Sequence, residues 1–387
     1  MKNFTFYNPV KIIFGKGTIE KIGAEAAVHG KTALLVYGKG SIKKNGVYAA
    51  VTQSLKASGL AFVEHEGVKS NPVLAHTREG IKKARENKCD LVIAAGGGSV
   101  IDESKAIAAG FKYSGDVWDF FSGKTAIKDA MPLLTVLTIP ATGSEMNCGF
   151  VITNEETSQK FNAASPCSFP KVSIMDPLVT ITLPKTQTAN GAVDALAHIV
   201  EGYFTTKDKD AAITDELVHA IARSVIAGTD RILANPEDYN ARASMMWSAT
   251  LALNGLQALG YGGGSFINHA IEHSLSALYD IAHGAGLAIV MPAWFKYDLK
   301  ISGPERLAKF GRSVFGVAAA SDKEAAERTI ASFEKWFSKI GAPLKLSEVK
   351  IPAADIPKIA ENAMGLITKW GIDCDRTSVE DILRKAV

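Results

Sequence analysis

The amino-acid sequence predicts an α/β amino-terminal domain built on a parallel sheet, followed by an all-helical carboxy-terminal domain. Three observations carry this. Short apolar runs alternate with helical patterns over the first half of the chain, two of those runs end in glycine-rich turns, and from Pro184 onward nearly all periodicity is helical. The boundary is placed near residue 180, giving an α/β dinucleotide-binding domain over 1–180 and a helical metal-binding domain over 181–387.

Taken in order, Lys31-Thr-Ala-Leu-Leu-Val-Tyr37 is an apolar run closed by glycine, residues 47–58 have a helical pattern, and residues 61–66 are strand-like. Asn71-Pro72 opens a helix running to about Asn87, with Pro72 near the first turn, where its missing N–H costs nothing. Asp90-Leu-Val-Ile-Ala-Ala95 and Thr135-Val-Leu-Thr-Ile139 read as buried strands, and Phe150-Val-Ile-Thr153 with Val172-Ser-Ile-Met175 as a further pair. Residues 211–234, 240–259, 265–278, 305–317, 323–340 and 356–369 carry the helical pattern of the second domain.

The 387 residues hold 47% hydrophobic side chains, as a globular protein does, and no internal repeat. A net charge of +3 arises from 43 basic and 40 acidic residues without a basic block, which argues against nucleic acid as a partner. No apolar run reaches spanning length and the first residues lack a signal-peptide core, so no membrane is implied and a cytoplasmic location is expected. Cys89, Cys148, Cys167 and Cys374 are far apart with no C-x-x-C, and read as free, mostly buried thiols.

Residues 194–283 hold the chemistry. Asp194 and His198 stand four apart in a segment of apolar and small residues, His269 and His273 stand four apart, and His283 opens His283-Gly-Ala-Gly. Residues four apart share a helix face, so each pair has chelate spacing. An ordinary helix pair or a capped core histidine has the same spacing, but an ionised Asp194 among apolar neighbours needs a partner, which a metal supplies. A carboxylate with several imidazoles suits zinc or iron(II) better than magnesium or calcium.

Gly96-Gly97-Gly98-Ser99 lies between an apolar strand and the helical run from Val100, and Gly38-Lys39-Gly40-Ser41 closes the first strand. Such turns let a pyrophosphate approach the backbone and a helix N-terminus, although G-x-G-x-x-G is absent and either turn alone is also a plain tight turn. No Asp or Glu lies between Gly30 and Val63, while Lys43 and Lys44 follow the first turn. That arrangement tolerates a 2′-phosphate, so NADP(H) is favoured over NAD(H), unless the two lysines are simply solvated.

Together these motifs make the chain resemble the iron-containing (group III) alcohol dehydrogenase family, most closely its butanol dehydrogenase and aldehyde reductase branch. The resemblance spans Phe14-Gly15, Gly38-x-Gly-Ser-Ile-Lys-Lys-Asn-Gly46, Gly96-Gly-Gly-Ser-Val-Ile-Asp102, Pro140-Ala-Thr-Gly-Ser-Glu-Met-Asn147, Asp176-Pro177, Gly191-x-x-Asp-Ala-x-x-His198, and His269 to His283. It implies a Rossmann-like domain and a helical domain of the dehydroquinate synthase-like type, an active site in the cleft between them, and a homodimer. Asp194, His198, His269 and His283 would bind Fe2+ or Zn2+, with His273 beside them as a proton relay. Nucleotide contacts would come from Gly38, Gly40, Ser41, Gly96, Gly97, Gly98, Ser99, Asp102, Thr138, Thr142, Asn147 and Lys160.

In that reading the metal stabilises charge on the oxygen of a small alcohol or aldehyde during hydride transfer, and Trp118, Phe120, Phe121 and Phe150 furnish apolar walls or are simply core. Two other readings compete. His269-Ala-Ile-Glu272-His273 is literally H-x-x-E-H, a zinc peptidase motif with Glu272 as base, and the glycine turns alone fit a non-catalytic nucleotide-binding protein.

Overall fold

The computed structural model describes residues 1–387, which form two compact units: Tyr7–Leu183 with Pro236–Thr250, and Met1–Phe6 with Pro184–Asn235 and Leu251–Val387. The first unit holds eight strands: β1 (Lys11–Phe14), β2 (Thr32–Tyr37), β3 (Ala61–Glu66), β4 (Leu91–Gly97), β5 (Leu133–Ile139), β6 (Gly149–Asn154), β7 (Gln159–Ala164) and β8 (Val172–Met175). Six form an all-parallel sheet in the order β1-β8-β5-β4-β2-β3. Its helices are α1 (Ile22–Ala27), α2 (Ser41–Lys44), α3 (Val47–Ala57), α4 (Leu74–Glu86), α5 (Gly98–Phe111) and α6 (Trp118–Phe121).

The near-continuous apolar character of β2, β4 and β5 follows from their place inside this sheet, where both faces are covered and almost every side chain is buried. From β2 the chain passes to the edge strand β3 and then returns to the other side of β2 as β4. That reversal puts a crevice at the carboxyl ends of β2 and β4, the place where open α/β sheets take ligands.

Two expectations need correction, and one open alternative is decided. Residues 150–153 and 172–175 do not pair: β6 forms an antiparallel hairpin with β7, while β8 lies between β1 and β5. A four-residue turn joins β6 to β7, short enough for a hairpin, whereas the wholly buried β8 is a parallel core strand. Phe120, Phe121 and Phe150 are core, with the Trp118 ring stacked on Phe121 at 5.3 Å and Phe150 edge-on to Phe121 at 5.5 Å. Among the thiols, only that of Cys89 is buried.

The rest of the chain is helical: α7 (Lys185–Thr205), α8 (Ala212–Ala234), α9 (Tyr239–Ala252), α10 (Ile267–Tyr279), α11 (His283–Ser302), α12 (Glu305–Phe310), α13 (Asp322–Lys339), α14 (Ile356–Trp370) and α15 (Arg376–Arg384), all but α9 lying wholly in the second unit. No helix is long and apolar enough to cross a membrane. Most of α9 belongs to the first unit, where Met246 joins the core, the Trp247 ring meets Phe14 edge-on at 6.2 Å, and Thr250 Oγ1 donates to Glu145 Oε1 at 2.5 Å. Helical periodicity shows that a segment is a helix with a buried face but not what covers that face, so a single boundary near residue 180 leaves this exchange out.

Helix α7 is buried on nearly every side from Gly191 to Val200, as expected of a helix apolar all round. Asp280 adopts a left-handed conformation at φ 51° and ends α10, and only Ile281 and Ala282 separate it from α11, which starts at His283. At Gly284 a Cβ would stand 2.1 Å from the Asn190 carbonyl oxygen, so α11 approaches α7 backbone to backbone. Replacing Gly284→Ala must push the two helices apart; a loss of about 1–3 kcal/mol is expected. Scanning calorimetry should show a lower Tm for the variant, and an unchanged Tm would mean that the contact is slack.

Candidate metal centre and nucleotide turns

Three helices bring the first candidate site together within the second unit. Asp194 and His198 lie one turn apart on α7, His269 lies on α10, and His283 is the first residue of α11. Asp194 Oδ1 stands 3.6 Å from His198 Nε2, 3.7 Å from His269 Nε2 and 3.5 Å from His283 Nε2. Four donors at tetrahedral corners around a centre with bonds of about 2.1 Å lie about 3.4 Å apart, so these spacings are close to those of a coordination shell. Asp194 Oδ1 and His269 Nε2 are buried and have no hydrogen-bond partner, a costly arrangement unless a cation joins them.

The electrostatics agree. Burial favours the neutral acid at Asp194, yet the nearby imidazoles of His198, His283 and His269 outweigh it and hold the carboxyl down at about 2. Burial lowers His198 to about 4, keeping its ring neutral. For His269 burial also opposes charge, but Glu201 and Asp194 prevail and raise it to about 10. The pocket therefore demands positive charge at its centre, and the donor set of one carboxylate and three imidazoles fits zinc or iron(II).

Two residues that sequence reasoning left without a place here stand behind the imidazoles. Glu201 is fully buried, accepts from the backbone N–H of Asn268 at 2.5 Å and of His269 at 3.3 Å, and is bonded to His269 Nδ1. Glu272, also fully buried, is bonded to His283 Nδ1 and accepts from Ser276 Oγ at 2.5 Å. Each frees the opposite ring nitrogen, Nε2, for the centre and fixes its direction. The signal for Glu201 was present: an acid three residues after His198, on the same apolar helix.

This arrangement removes the peptidase reading. A catalytic base must face the metal, whereas Glu272 is turned to His283 and Ser276, and His269 Nε2 faces Asp194. His273 is buried beside the cluster, with its ring centre 5.4 Å from that of His283, 6.3 Å from that of His269 and 5.9 Å from that of Trp370.

In the first unit, the turns of Gly38, Gly40 and Ser41 after β2 and of Gly96 to Ser99 after β4 open at the same sheet edge, and Thr138 is buried near the end of β5. Gly40 takes φ 102°, which a side chain would strain. At Gly98 a Cβ would lie 2.4 Å from Thr142 Oγ1, so the glycine lets the loop after β5 close onto the start of α5. No side chain caps that helix start, and its N–H groups remain available to an anion. Lys160 Nζ donates to Asn71 Oδ1 at 3.0 Å, and Ser99 Oγ donates to the neighbouring Ser70 carbonyl, gathering Lys160, Asn71 and Ser99 from three segments.

Asp102 and Asn147 are committed to the protein itself. Asp102 accepts from Ser144 Oγ at 2.6 Å and from the Val151 N–H at 3.0 Å, and the Asn147 amide holds the Gly143 carbonyl and the Gly149 N–H at 2.9 and 3.0 Å. Between them lies Lys105, which sequence reasoning missed: fully buried, it donates to Ser144 Oγ, Asn147 Oδ1, and the Asn147 and Gly149 carbonyls at 2.8–3.1 Å. Burial lowers this ammonium to about 8 against the opposing pull of Asp102. Lys105 thus ties the loop carrying Thr142 and Asn147 to the helix carrying the glycine turn.

Comparison with known proteins places the chain among known families. A family model described as iron-containing alcohol dehydrogenase matches residues 9–177, and one described as Fe-containing alcohol dehydrogenase family, C-terminal, matches residues 188–387. The chain is 42% identical to the probable NADH-dependent butanol dehydrogenase 1 of Bacillus subtilis over 94% of both chains. It is 38% identical to the NADPH-dependent aldehyde reductase YqhD of Escherichia coli, again over 94% of both. Its structure is similar to that of NADH-dependent butanol dehydrogenase A from Thermotoga maritima, with TM-score 0.96 and 47% identity over 100% of this chain and 99% of that one.

The carboxylates behind the imidazoles make a direct prediction. Glu201→Gln and Glu272→Gln should each weaken metal binding by about ten- to a hundredfold while leaving the four inner donors in place. Competition titration against a chelator of known affinity measures this, and wild-type affinity in both variants would remove the orienting role.

Proposed function

The chain belongs to the iron-containing alcohol dehydrogenase family, and on that premise we propose that it interconverts small alcohols and aldehydes, of the butanol type, by hydride transfer with a nicotinamide cofactor. The observation that carries this reading is the convergence of Asp194 Oδ1 and three imidazole Nε2 atoms at 3.5–3.7 Å inside an apolar helical unit. A divalent ion held by Asp194, His198, His269 and His283 supplies Lewis-acid stabilisation of the charge that builds on the substrate oxygen. A nicotinamide cofactor, when bound, would supply the hydride chemistry.

The remaining work falls to the chain's own side chains. Glu201 and Glu272 keep His269 and His283 in one tautomer and one orientation, so the inner face offers lone pairs only. His273, beside the cluster and buried, moves the proton that the alcohol oxygen must gain or lose. At the sheet edge, the turn after β4 and the uncapped start of α5 receive the pyrophosphate, and the turn after β2 receives the adenosine ribose.

Cofactor choice turns on that last turn. The absence of acid between Gly30 and Val63 favours a 2′-phosphate, but the next strand brings Glu66 into register with Tyr37 at the end of β2. Lys43 Nζ sits 2.9 Å from Glu66 Oε2, so the cation that would hold a 2′-phosphate is shared with a carboxylate that would hold a 2′-hydroxyl. The enzyme therefore uses both NADPH and NADH, with the Lys43–Glu66 pair setting their ratio. Glu66→Gln should raise the NADPH-to-NADH ratio of kcat/KM by about three- to tenfold and Lys43→Ala should lower it to a similar degree. Steady-state butanal reduction with both cofactors measures this, and a ratio indifferent to both changes would sink the assignment.

A second test separates the two histidines of α10. His269→Ala should lose bound metal and activity together, whereas His273→Ala should keep its metal and slow turnover by about a hundred- to ten-thousandfold, the range of positioned proton transfer. Metal content and aldehyde reduction measured on the same two preparations decide it. Equal metal loss in both would show that the ligand set is misassigned.

A further inference from the structure

We propose that His65, His76 and Glu103 form a second divalent-metal site, suited to zinc, on the α/β unit and separate from the Asp194 cluster. The three side chains come from three different elements: His65 near the end of β3, His76 in the first turn of α4, and Glu103 in the second turn of α5. One ring nitrogen of each histidine and a carboxylate oxygen of Glu103 converge within a sphere that one ion would bridge. Glu103 Oε1 lies 3.1 Å from His65 Nε2 and 2.6 Å from His76 Nδ1, and the two imidazoles stack at 4.1 Å between ring centres.

Hydrogen-bond logic makes the case. His76 Nε2 is 3.0 Å from the Glu66 carbonyl oxygen, which can only accept, so that nitrogen carries the proton. The opposite nitrogen, Nδ1, then faces a carboxylate oxygen at 2.6 Å, so positive charge must lie between them, either a metal ion or the second proton of an imidazolium. A backbone carbonyl on the outer nitrogen is also how metal-bound histidines are commonly held. Glu103 has no solvent exposure, and its second oxygen, Oε2, is buried without a hydrogen-bond partner. A buried carboxylate half unsatisfied and met by two imidazoles is a donor set of two nitrogens and one oxygen, the composition of many zinc sites.

The surroundings leave room for it. At Gly80 of α4 a Cβ would stand 2.8 Å from His65 Nε2, so only a glycine lets that ring nitrogen reach the cluster. The His76 side chain is about one-fifth exposed, which gives an ion a route in and water a remaining coordination position. Zinc bonds of about 2.1 Å require Glu103 Oε1 and His76 Nδ1 to separate by about 0.8 Å, a movement open to a partly exposed side chain in the first turn of its helix. Occupied, the site would clamp the end of β3 to α5, the helix that opens at the Gly96 to Ser99 turn.

Zinc stoichiometry tests this. At saturating zinc, equilibrium dialysis followed by elemental analysis should give two equivalents per wild-type chain and one for His76→Ala. His198→Ala should also retain one, and His76→Ala with His198→Ala should retain none, which distinguishes failure of this site from failure of the Asp194 cluster. Circular dichroism establishes that each variant is folded, and cobalt(II) bound to His198→Ala should give visible bands that His76→Ala abolishes. A single equivalent in the wild type, or two in a folded His76→Ala protein, would overturn the proposal. Nitrogen NMR showing His76 protonated on both nitrogens at saturating zinc would do the same, by making a proton the cation between the ring and Glu103.

Discussion

Buried negative charge organises the helical unit. Asp194, Glu201 and Glu272 all lie within apolar helices, where an ionised carboxylate is stable only if positive charge or strong hydrogen bonds meet it. The imidazoles answer that need in two layers: Glu201 and Glu272 take the outer nitrogens of His269 and His283, and Asp194 faces the inner ones. Three carboxylates converge on these rings, so the centre favours positive charge, which the raised His269 imidazole or a bound cation can supply. A divalent cation bound there would balance the carboxylate charge without adding volume. Helix α7 supplies two donors, and the close approach of α11 at Gly284 brings the fourth within reach.

The nucleotide edge obeys a different constraint. There segments of backbone come close to one another, and side-chain volume is the obstacle. Glycines at 96, 97 and 98 are demanded by neighbours inside the protein, Val100, Ile139 and Thr142, as much as by any ligand. Their packing brings the loop after β5 against the start of α5, and Lys105 then secures that loop through four acceptors. Packing density and ligand access are here one requirement seen from two sides.

The chain revealed some of this and withheld the rest, for identifiable reasons. Central strands were legible because a parallel sheet buried on both faces needs continuous apolar runs, as in β2, β4 and β5. The approach of Asp194 to His198 was legible because helical spacing of four converts directly into proximity. β1 escaped because a four-residue edge strand with two half-buried residues has little pattern to show. Glu201 escaped because its partner, His269, is 68 residues away, and no local periodicity encodes a hydrogen bond of that span. Glu66 escaped for a related reason, since its proximity to Lys43 is set by the register of β2 against β3.

The placement of α9 also bears on how the protein is made. Pro236–Thr250 belongs to the unit otherwise completed at Leu183, with Met246 in its core and Thr250 bonded to Glu145. On a ribosome, the sheet and its helices emerge well before this last piece, and more than fifty residues of the other unit must be translated first. Until α9 arrives, Glu145 is buried or exposed without its threonine donor, and one wall of the sheet's core is bare. The nascent amino-terminal unit therefore stays unfinished until residues 236–250 have been made. For the same reason, cutting the gene after residue 183 yields a fragment short of one structural member, and adding residues 236–250 in trans is the minimal repair.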